Sequence, residues 1–183
     1  IPAHWASSSA VVCIGSAMMG LMDVALQRYE RIDLHTHSTW SDGALTPAEL
    51  VALAATRQVQ LLALTDHDTL AGCAAAAAAC ADSGIDFLYG CELTSLWRER
   101  EIHVVGLRLD PAAPALAAHL EGVQAQRRAR IQAIGAKLTR CGLDGAALAG
   151  AVLARAGTPT RAHLARLLVA QGHATDVDDA FKR

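Results

Sequence analysis

The chain has 183 residues, of which 52% are apolar and 19% charged, and its formal net charge is −2. This length suffices for one domain with a sizeable core, while the slight negative charge and the aromatic content of 4% argue against a basic or base-stacking nucleic-acid surface. Five scattered cysteines without a CxxC pair argue against a thiolate zinc site or a disulfide framework, and favour a reducing cytoplasm.

Residues 1–28 carry no recognisable chemistry and are predicted to be an extension outside the functional domain. The apolar run from Val11 to Met22 is too short and too interrupted by Gly and Ser to span a bilayer. No Lys or Arg precedes it, as a secretory signal would require. Because the chain begins with Ile1, we expect a fragment or a processed piece, with Met18, Met19 or Met22 as the true start.

From Arg31 the chain alternates strand and helix patterns. The period-two alternation of RIDLHTH predicts a strand. The next helix is predicted from Thr46 as N-cap, Pro47 at the first helical position and Glu49 in a capping box. QLLALTDHD is typical of a buried parallel strand, and the Ala-rich segment after it predicts a helix that ends near Gly84. Two further strands are predicted in IDFLYGCELT and EIHVVGLRL.

This βαβαβ order followed by one more strand predicts an α/β fold with parallel strands, either an open sheet or a barrel. Beyond Pro111 three amphipathic helices are predicted, the first of them long. The last of these helices has Thr158 or Thr160 as its cap and Gly172 as its stop.

Polar residues follow the first three strands at the point where each strand ends. These are His35 and His37, then the triplet Asp66-His67-Asp68, then Glu92. Because carboxyl ends of parallel strands share one edge, where barrel enzymes build their active sites, we expect these side chains to converge. Individually each has an ordinary explanation, such as a polar strand end, a surface carboxylate or a Ser-Asp-Gly turn at Asp42.

Taken together with His103 on the fourth strand, the pattern offers four imidazoles and two carboxylates. Nitrogen and oxygen donors suit Mn, Fe or Zn, and Mg less well because of the imidazoles. Six donors exceed what one tetrahedral site needs, so two or more metals are predicted. Such a centre activates water and holds phosphate oxygens, which is the chemistry of metal-assisted phosphoester hydrolysis.

Four motifs in this order, DLHTHSTWSDG, LALTDHDT, GCELTS and EIHVVGL, resemble the polymerase and histidinol phosphatase (PHP) domain family. The resemblance is to its TrpH/RNase AM-like phosphoesterases, which include 3′,5′-nucleoside bisphosphate phosphatases, and it extends to TPTRAHLAR. It implies a distorted (β/α)7 barrel whose N-terminal part is residues 29–110, with a helical lid insertion at residues 111–183. The chain would end before the remaining strands and ligands, so we expect this stretch alone to be poorly soluble and inactive.

The resemblance also implies a trinuclear metal site. His35 and His37 would hold the first metal, and Glu92 would bridge it to another. Asp42 and His67 would hold the second metal, and His103 would join Glu92 at the third.

In the lid, Arg161 and His163 would face the substrate phosphate, since a guanidinium donates two parallel hydrogen bonds to phosphate. The alternative is an exposed helix arginine and a capping or packing histidine. Asp66 and Asp68 are expected to orient His67 or bound water. Three arginines of the long helix are expected to form a solvated face, with steering of an anionic substrate as the alternative, namely Arg127, Arg128 and Arg130.

The implied function is that of a cytoplasmic phosphoesterase in which a metal-bridged hydroxide attacks phosphorus. Its substrates would be 3′,5′-nucleoside bisphosphates or the 5′ ends of short RNA, with no membrane involved. The implied cofactors are two or three divalent metals, Mn foremost, with Zn, Fe or Mg as alternatives. Other functions left open are a histidinol-phosphate-type phosphatase and a structural or proofreading PHP module of a DNA polymerase. A metal-dependent amide hydrolase shares the HxH start but lacks the SDG…TDHD…E series.

Overall fold

The computed structural model describes residues 10–12 and 28–182. The described strands form one curled, half-barrel sheet in the order β1-β5-β4-β3-β2. They are β1 (Ala10–Val12), β2 (Ile32–Thr36), β3 (Leu61–Leu64), β4 (Asp86–Trp97) and β5 (Arg100–Leu107). The described helices are α1 (Pro47–Thr56), α2 (Cys73–Ser83), α3 (Pro114–Arg140), α4 (Gly145–Leu153), α5 (Arg161–Ala170) and α6 (Val177–Lys182). Apart from residues 10–12 and 28, the predicted extension lies outside the described residues.

The predicted α/β organisation is confirmed for the first three strands of the domain. Strands β2, β3 and β4 are parallel neighbours, joined through α1 and α2. Helix α1 begins with the predicted capping box between Thr46 and Glu49, which satisfies two backbone N–H groups at the helix start. Helix α2 ends at Gly84, whose φ of 68° lies in the left-handed region that glycine adopts readily.

The expectation of parallel strands is wrong for β5, which runs antiparallel to β4. Strand β4 runs past its predicted end at Thr94 to Trp97, and β5 already begins at Arg100. A two-residue turn at Arg98 and Glu99, whose φ values are 47° and 65°, joins the two strands. Positive φ at both positions defines the tight turn that reverses a chain into a hairpin. As a result His103 lies directly opposite Thr94, two residues beyond Glu92.

Two apolar cores stabilise the described structure. The first lies between the sheet and helices α1 and α2, and its fully buried members include Leu62, Leu64 and Cys80. The second belongs to helices α3 to α5, where Ile131 and Leu148 are almost fully buried. The helical segment therefore has a core of its own. Among the described helices, including the 27-residue α3, none has the length and apolarity needed to cross a membrane.

Polar contacts dock the helical segment onto the carboxyl ends of the strands. Gln124 of α3 donates to the Asp68 backbone oxygen at 2.9 Å, and the Thr158 N–H donates to the Trp40 backbone oxygen at 2.7 Å. The predicted cap of α5 is Thr160, which accepts from the His163 N–H at 3.3 Å. Gly157 approaches Trp40 so closely that a Cβ there would lie 2.2 Å from the Trp40 oxygen.

Candidate metal centre

His35 and His37 meet Glu92 where β2 ends, beside the middle of β4. Glu92 Oε2 lies 2.8 Å from His35 Nε2 and 3.0 Å from His37 Nε2, and the two imidazole nitrogens are 3.1 Å apart. The two rings share a side of β2 because side chains at positions i and i+2 of a strand point to the same face. Three donor atoms thus converge on one small volume.

A second group of donors forms around Asp42. Its Oδ1 lies 3.8 Å from His37 Nδ1, and its Oδ2 lies 3.6 Å from His67 Nε2. The rings of His37 and His67 are stacked with their centroids 4.7 Å apart. The turn that carries Asp42 is fixed by the buried carboxylate of Asp66, which accepts hydrogen bonds of 2.6 Å from the hydroxyls of Ser38 and Ser41.

The third group joins His67 and His103 to the opposite side of Glu92. His103 Nδ1 lies 3.0 Å from Glu92 Oε1, and His67 Nδ1 lies 3.8 Å from Glu92 Oε2. Glu92 is only 4% exposed and contacts four imidazoles, so it occupies the centre of the cluster. Its position is set by the backbone bridge that pairs residue 92 with residue 67.

The donor set fits divalent cations. The six predicted ligands form three groups whose donor atoms lie within 4.8 Å of one another, and His37, His67 and Glu92 each belong to two groups. Among the described residues, the buried Nδ1 atoms of His67 and His103 have no hydrogen-bond partner. Buried polar atoms are rarely left unpaired, so these two nitrogens call for a partner. A cation is a suitable partner because their lone pairs face other metal-ligand atoms. The structure therefore contains a candidate metal-binding cluster.

Burial and the Glu92 carboxylate set the charge states of the cluster. Burial alone would raise the pKa of Glu92, but contacts with His103, His35 and His37 lower it well below its usual range. Burial lowers the pKa of His67 to about 4. Contact with Glu92 raises the pKa of His35 and of His103. At neutral pH the cluster thus holds an ionised carboxylate and a neutral His67, the forms that metals bind.

The two predicted substrate-binding residues lie beside the cluster rather than in it. Arg161 is exposed, and its Nη2 lies 3.5 Å from Glu101 Oε1. His163 is 6% exposed and forms the cap of α5 together with Thr160. This is the capping histidine that was predicted as the alternative. Burial lowers the pKa of His163. Within the described part of the chain, neither residue hydrogen-bonds to the six predicted ligands.

Among the described residues, the side chains of Asp66 and Asp68 hydrogen-bond to neighbouring segments and not to the His67 ring. Asp66 holds the β2–α1 turn, and Asp68 accepts hydrogen bonds of 2.7 Å from both the Thr94 N–H and the Thr94 hydroxyl. Arg127 also donates to Asp68, at 2.7 Å, so this arginine lies in a buried ion pair and not on the solvated helix face that was predicted. The two aspartates fix the backbone on either side of His67.

The contacts of three neighbours of the cluster were missed by sequence reasoning. Arg127 reaches Asp68 across 59 residues of sequence, which no local pattern indicates. Arg166 donates to the Asp42 backbone oxygen at 2.9 Å, and it ends the TPTRAHLAR segment. Glu101 precedes His103 by two residues on a strand, and this same-face spacing was the available signal for it.

Fold and site together define an α/β protein with a candidate multinuclear metal centre at the carboxyl ends of its strands. The profile of the PHP domain family matches residues 33–174. The chain belongs to the PHP domain family.

Curated relatives and solved structures agree with this assignment. A 3′,5′-nucleoside bisphosphate phosphatase of Chromobacterium violaceum is 46% identical over 155 residues, which cover 83% of this chain and 54% of the relative. A 5′-3′ exoribonuclease of Haemophilus influenzae is 44% identical over 154 residues, which cover 84% of this chain and 56% of the relative. The chain therefore spans about half the length of these curated relatives.

Two solved structures superimpose on most of the chain. One is described as an amidohydrolase from Chromobacterium violaceum with bound sulfate and no metal; it has a TM-score of 0.77 and 44% identity, over 84% of this chain and 54% of that one. The other, from Bifidobacterium adolescentis, is provisionally assigned as a metal-dependent phosphoesterase. It has a TM-score of 0.76 and 28% identity, over 84% of this chain and 55% of that one.

Proposed function

We propose that this chain supplies metal ligands and substrate contacts to a phosphoesterase that acts on nucleotides. The observation that carries the proposal is the set of three overlapping donor groups around the buried carboxylate of Glu92. The names of the related phosphatase and exoribonuclease support a nucleotide or RNA substrate. The substrates we propose are 3′,5′-nucleoside bisphosphates and the 5′ ends of short RNA.

The proposed ligand sets follow the three donor groups. His35, His37 and Glu92 bind one cation. Asp42 and His67 bind a second cation. His103 and Glu92 bind a third. Two or three divalent cations, with Mn preferred, would supply Lewis acidity that activates water and draws charge from phosphoryl oxygens. The buried Glu92 carboxylate holds the cluster together, since it contacts each of the four imidazoles.

In the proposed complex the helical segment contributes the contacts to substrate. Arg161 is exposed and stands beside the cluster, 3.5 Å from Glu101, so its guanidinium is placed to contact a phosphate bound there while it stays next to Glu101. His163 contributes by fixing the start of α5, which places Arg161 at the first helical position. This division of labour corresponds to a barrel part at residues 29–110 and a lid at residues 111–183.

Metal-dependent nucleotide binding by the 183-residue chain tests the proposal without requiring turnover. Calorimetry would compare adenosine 3′,5′-bisphosphate with histidinol phosphate in the presence and absence of Mn²⁺. We expect the nucleotide to bind more tightly than histidinol phosphate, and only with metal. We expect Arg161→Met to weaken nucleotide binding while metal binding stays unchanged. Tighter binding of histidinol phosphate, or nucleotide binding that does not depend on metal, would contradict the proposal.

A further inference from the structure

Glu101 on β5 lies between the metal cluster and two helices of the lid. Its Oε2 accepts from Arg130 Nη1 of α3 at 2.8 Å, and its Oε1 lies 3.5 Å from Arg161 Nη2 at the start of α5. The same Oε1 lies 3.6 Å from His103 Nε2. One carboxylate therefore links His103 of its own strand to helices α3 and α5.

The two ring nitrogens of His103 face different partners. Nδ1 points into the cluster, 3.0 Å from Glu92 Oε1, and has no hydrogen-bond partner among the described residues. Nε2 points outward to Glu101. Each ring nitrogen thus has a carboxylate beside it, and a neutral imidazole carries only one N–H. A cation held by Glu92 would take the lone pair of Nδ1, which leaves the N–H at Nε2, on the side of Glu101.

We propose that Glu101 is the positioning residue for His103, and that it couples the third donor group to the lid. Glu101 Oε1 faces His103 Nε2 at 3.6 Å, and it would move into hydrogen-bond distance of the Nε2–H when a cation binds Nδ1, which fixes the ring with Nδ1 as the ligand atom. A carboxylate behind a metal-binding histidine orients the ring and raises its basicity. This inference rests on the proposed function, because it requires His103 to bind a cation.

The two arginines give Glu101 its second role. Arg130 holds one oxygen of the carboxylate and Arg161 stands near the other, so the side chain is held by α3 and α5 at once. A movement of either helix changes the support of His103. The alternative is a purely structural role, in which the ion pairs of Glu101 attach the hairpin to the lid and have no effect on His103.

Zinc binding separates these alternatives. Calorimetry of the 183-residue chain with Zn²⁺ would compare Glu101→Gln, His103→Gln, the double variant and Glu99→Gln. Glu99 is a matched control, because it lies on the same hairpin and has no ion pair or hydrogen bond with the described residues. We expect Glu101→Gln to weaken one class of sites by about tenfold or more. We expect Glu99→Gln to leave every class within about twofold of the parent.

The double variant tests whether Glu101 acts through His103. We expect it to bind Zn²⁺ no more weakly than His103→Gln alone. Glu101→Gln could instead weaken zinc binding as much in the His103→Gln variant as in the parent chain. The lost charge of Glu101 would then act at long range on the other sites, and the positioning role would be refuted. If His103→Gln loses a class of sites while Glu101→Gln matches Glu99→Gln, the positioning role alone fails. If His103→Gln binds like the parent, the proposed metal centre itself fails.

Nitrogen-15 NMR of the zinc-loaded chain supplies a readout that a purely structural role would not change. We expect the His103 ring to show metal at Nδ1 and a proton at Nε2. In Glu101→Gln we expect loss of this single form and a mixture of ring states. Metal at Nε2 in the parent chain, or an unchanged His103 signal in Glu101→Gln, would overturn the inference.

Discussion

Arg127 joins helix α3 to the backbone that carries His67 and Glu92, and its removal should be costly. Its Nε donates to Asp68 Oδ2 at 2.7 Å and its Nη2 donates to the Thr94 hydroxyl at 2.8 Å. The side chains of Arg127 and Asp68 are 12% and 0% exposed. Arg127→Met keeps an apolar stem of similar size but removes the guanidinium, so the Asp68 carboxylate stays buried without its cation.

The size of the effect follows from these contacts. Removing one partner of a buried ion pair typically costs about 3–5 kcal/mol. Asp68 keeps two hydrogen bonds of 2.7 Å from Thr94, which continue to stabilise its charge. We therefore expect the low end of that range, a loss of about 3 kcal/mol in the free energy of unfolding.

Urea unfolding followed by circular dichroism measures this loss. Arg128→Met is the matched control, since Arg128 is the exposed neighbour on the same helix. We expect the control to stay within about 0.5 kcal/mol of the parent chain. If Arg127→Met were no less stable than Arg128→Met, the ion pair would not dock α3, and the reasoning would be refuted.

Three further predictions concern the lid and the cysteines. Gly157→Ala should cost about 2 kcal/mol or more in urea unfolding, because φ is 87° and the new Cβ would meet a backbone oxygen; Gly172→Ala, with φ of 74° in open space, should cost less, and equal losses would refute the steric argument. Burial lowers the pKa of His163, so the unfolded state binds its proton more readily and stability falls as pH drops below about 6.5. His163→Gln should flatten that fall between pH 7 and pH 5, and an unchanged slope would contradict it. In a Cys13→Ser background, a disulfide reagent should quickly modify the exposed Cys141 alone. The remaining thiols are buried, and burial raises their pKa values to about 11, 11 and 12, for Cys73, Cys80 and Cys91; fast reaction of more than one thiol would contradict this.

Local signals in the sequence were enough to predict most of the fold. The capping box at Thr46 and Glu49 and the left-handed stop at Gly84 act within a few residues, so their chemistry can be read directly. The direction of β5 was missed because its turn is Arg98-Glu99, and neither residue is the Gly, Asn or Asp that normally indicates positive φ.

The candidate site was predictable for a different reason. Parallel strands bring their carboxyl ends together, so the polar residues that follow β2 and β3 meet, as His37 and His67 do. Glu92 joins them because β4 continues past its last pair with β3. The contacts that hold the site could not be predicted in this way. Arg127 and Asp68 pair only because a 27-residue helix packs across the sheet end, and that angle is set by tertiary packing.

The central claim is that four histidines and two carboxylates of this chain bind a cluster of divalent cations. Anomalous diffraction at the manganese edge, from crystals of the chain grown with Mn²⁺, tests it most directly. We expect at least two peaks, each bounded by one of the three donor groups, with Glu92 in contact with two of them. We also expect His67→Ala to lose the peak beside Asp42. Manganese peaks only elsewhere on the chain, with none in contact with Glu92, would contradict the claim.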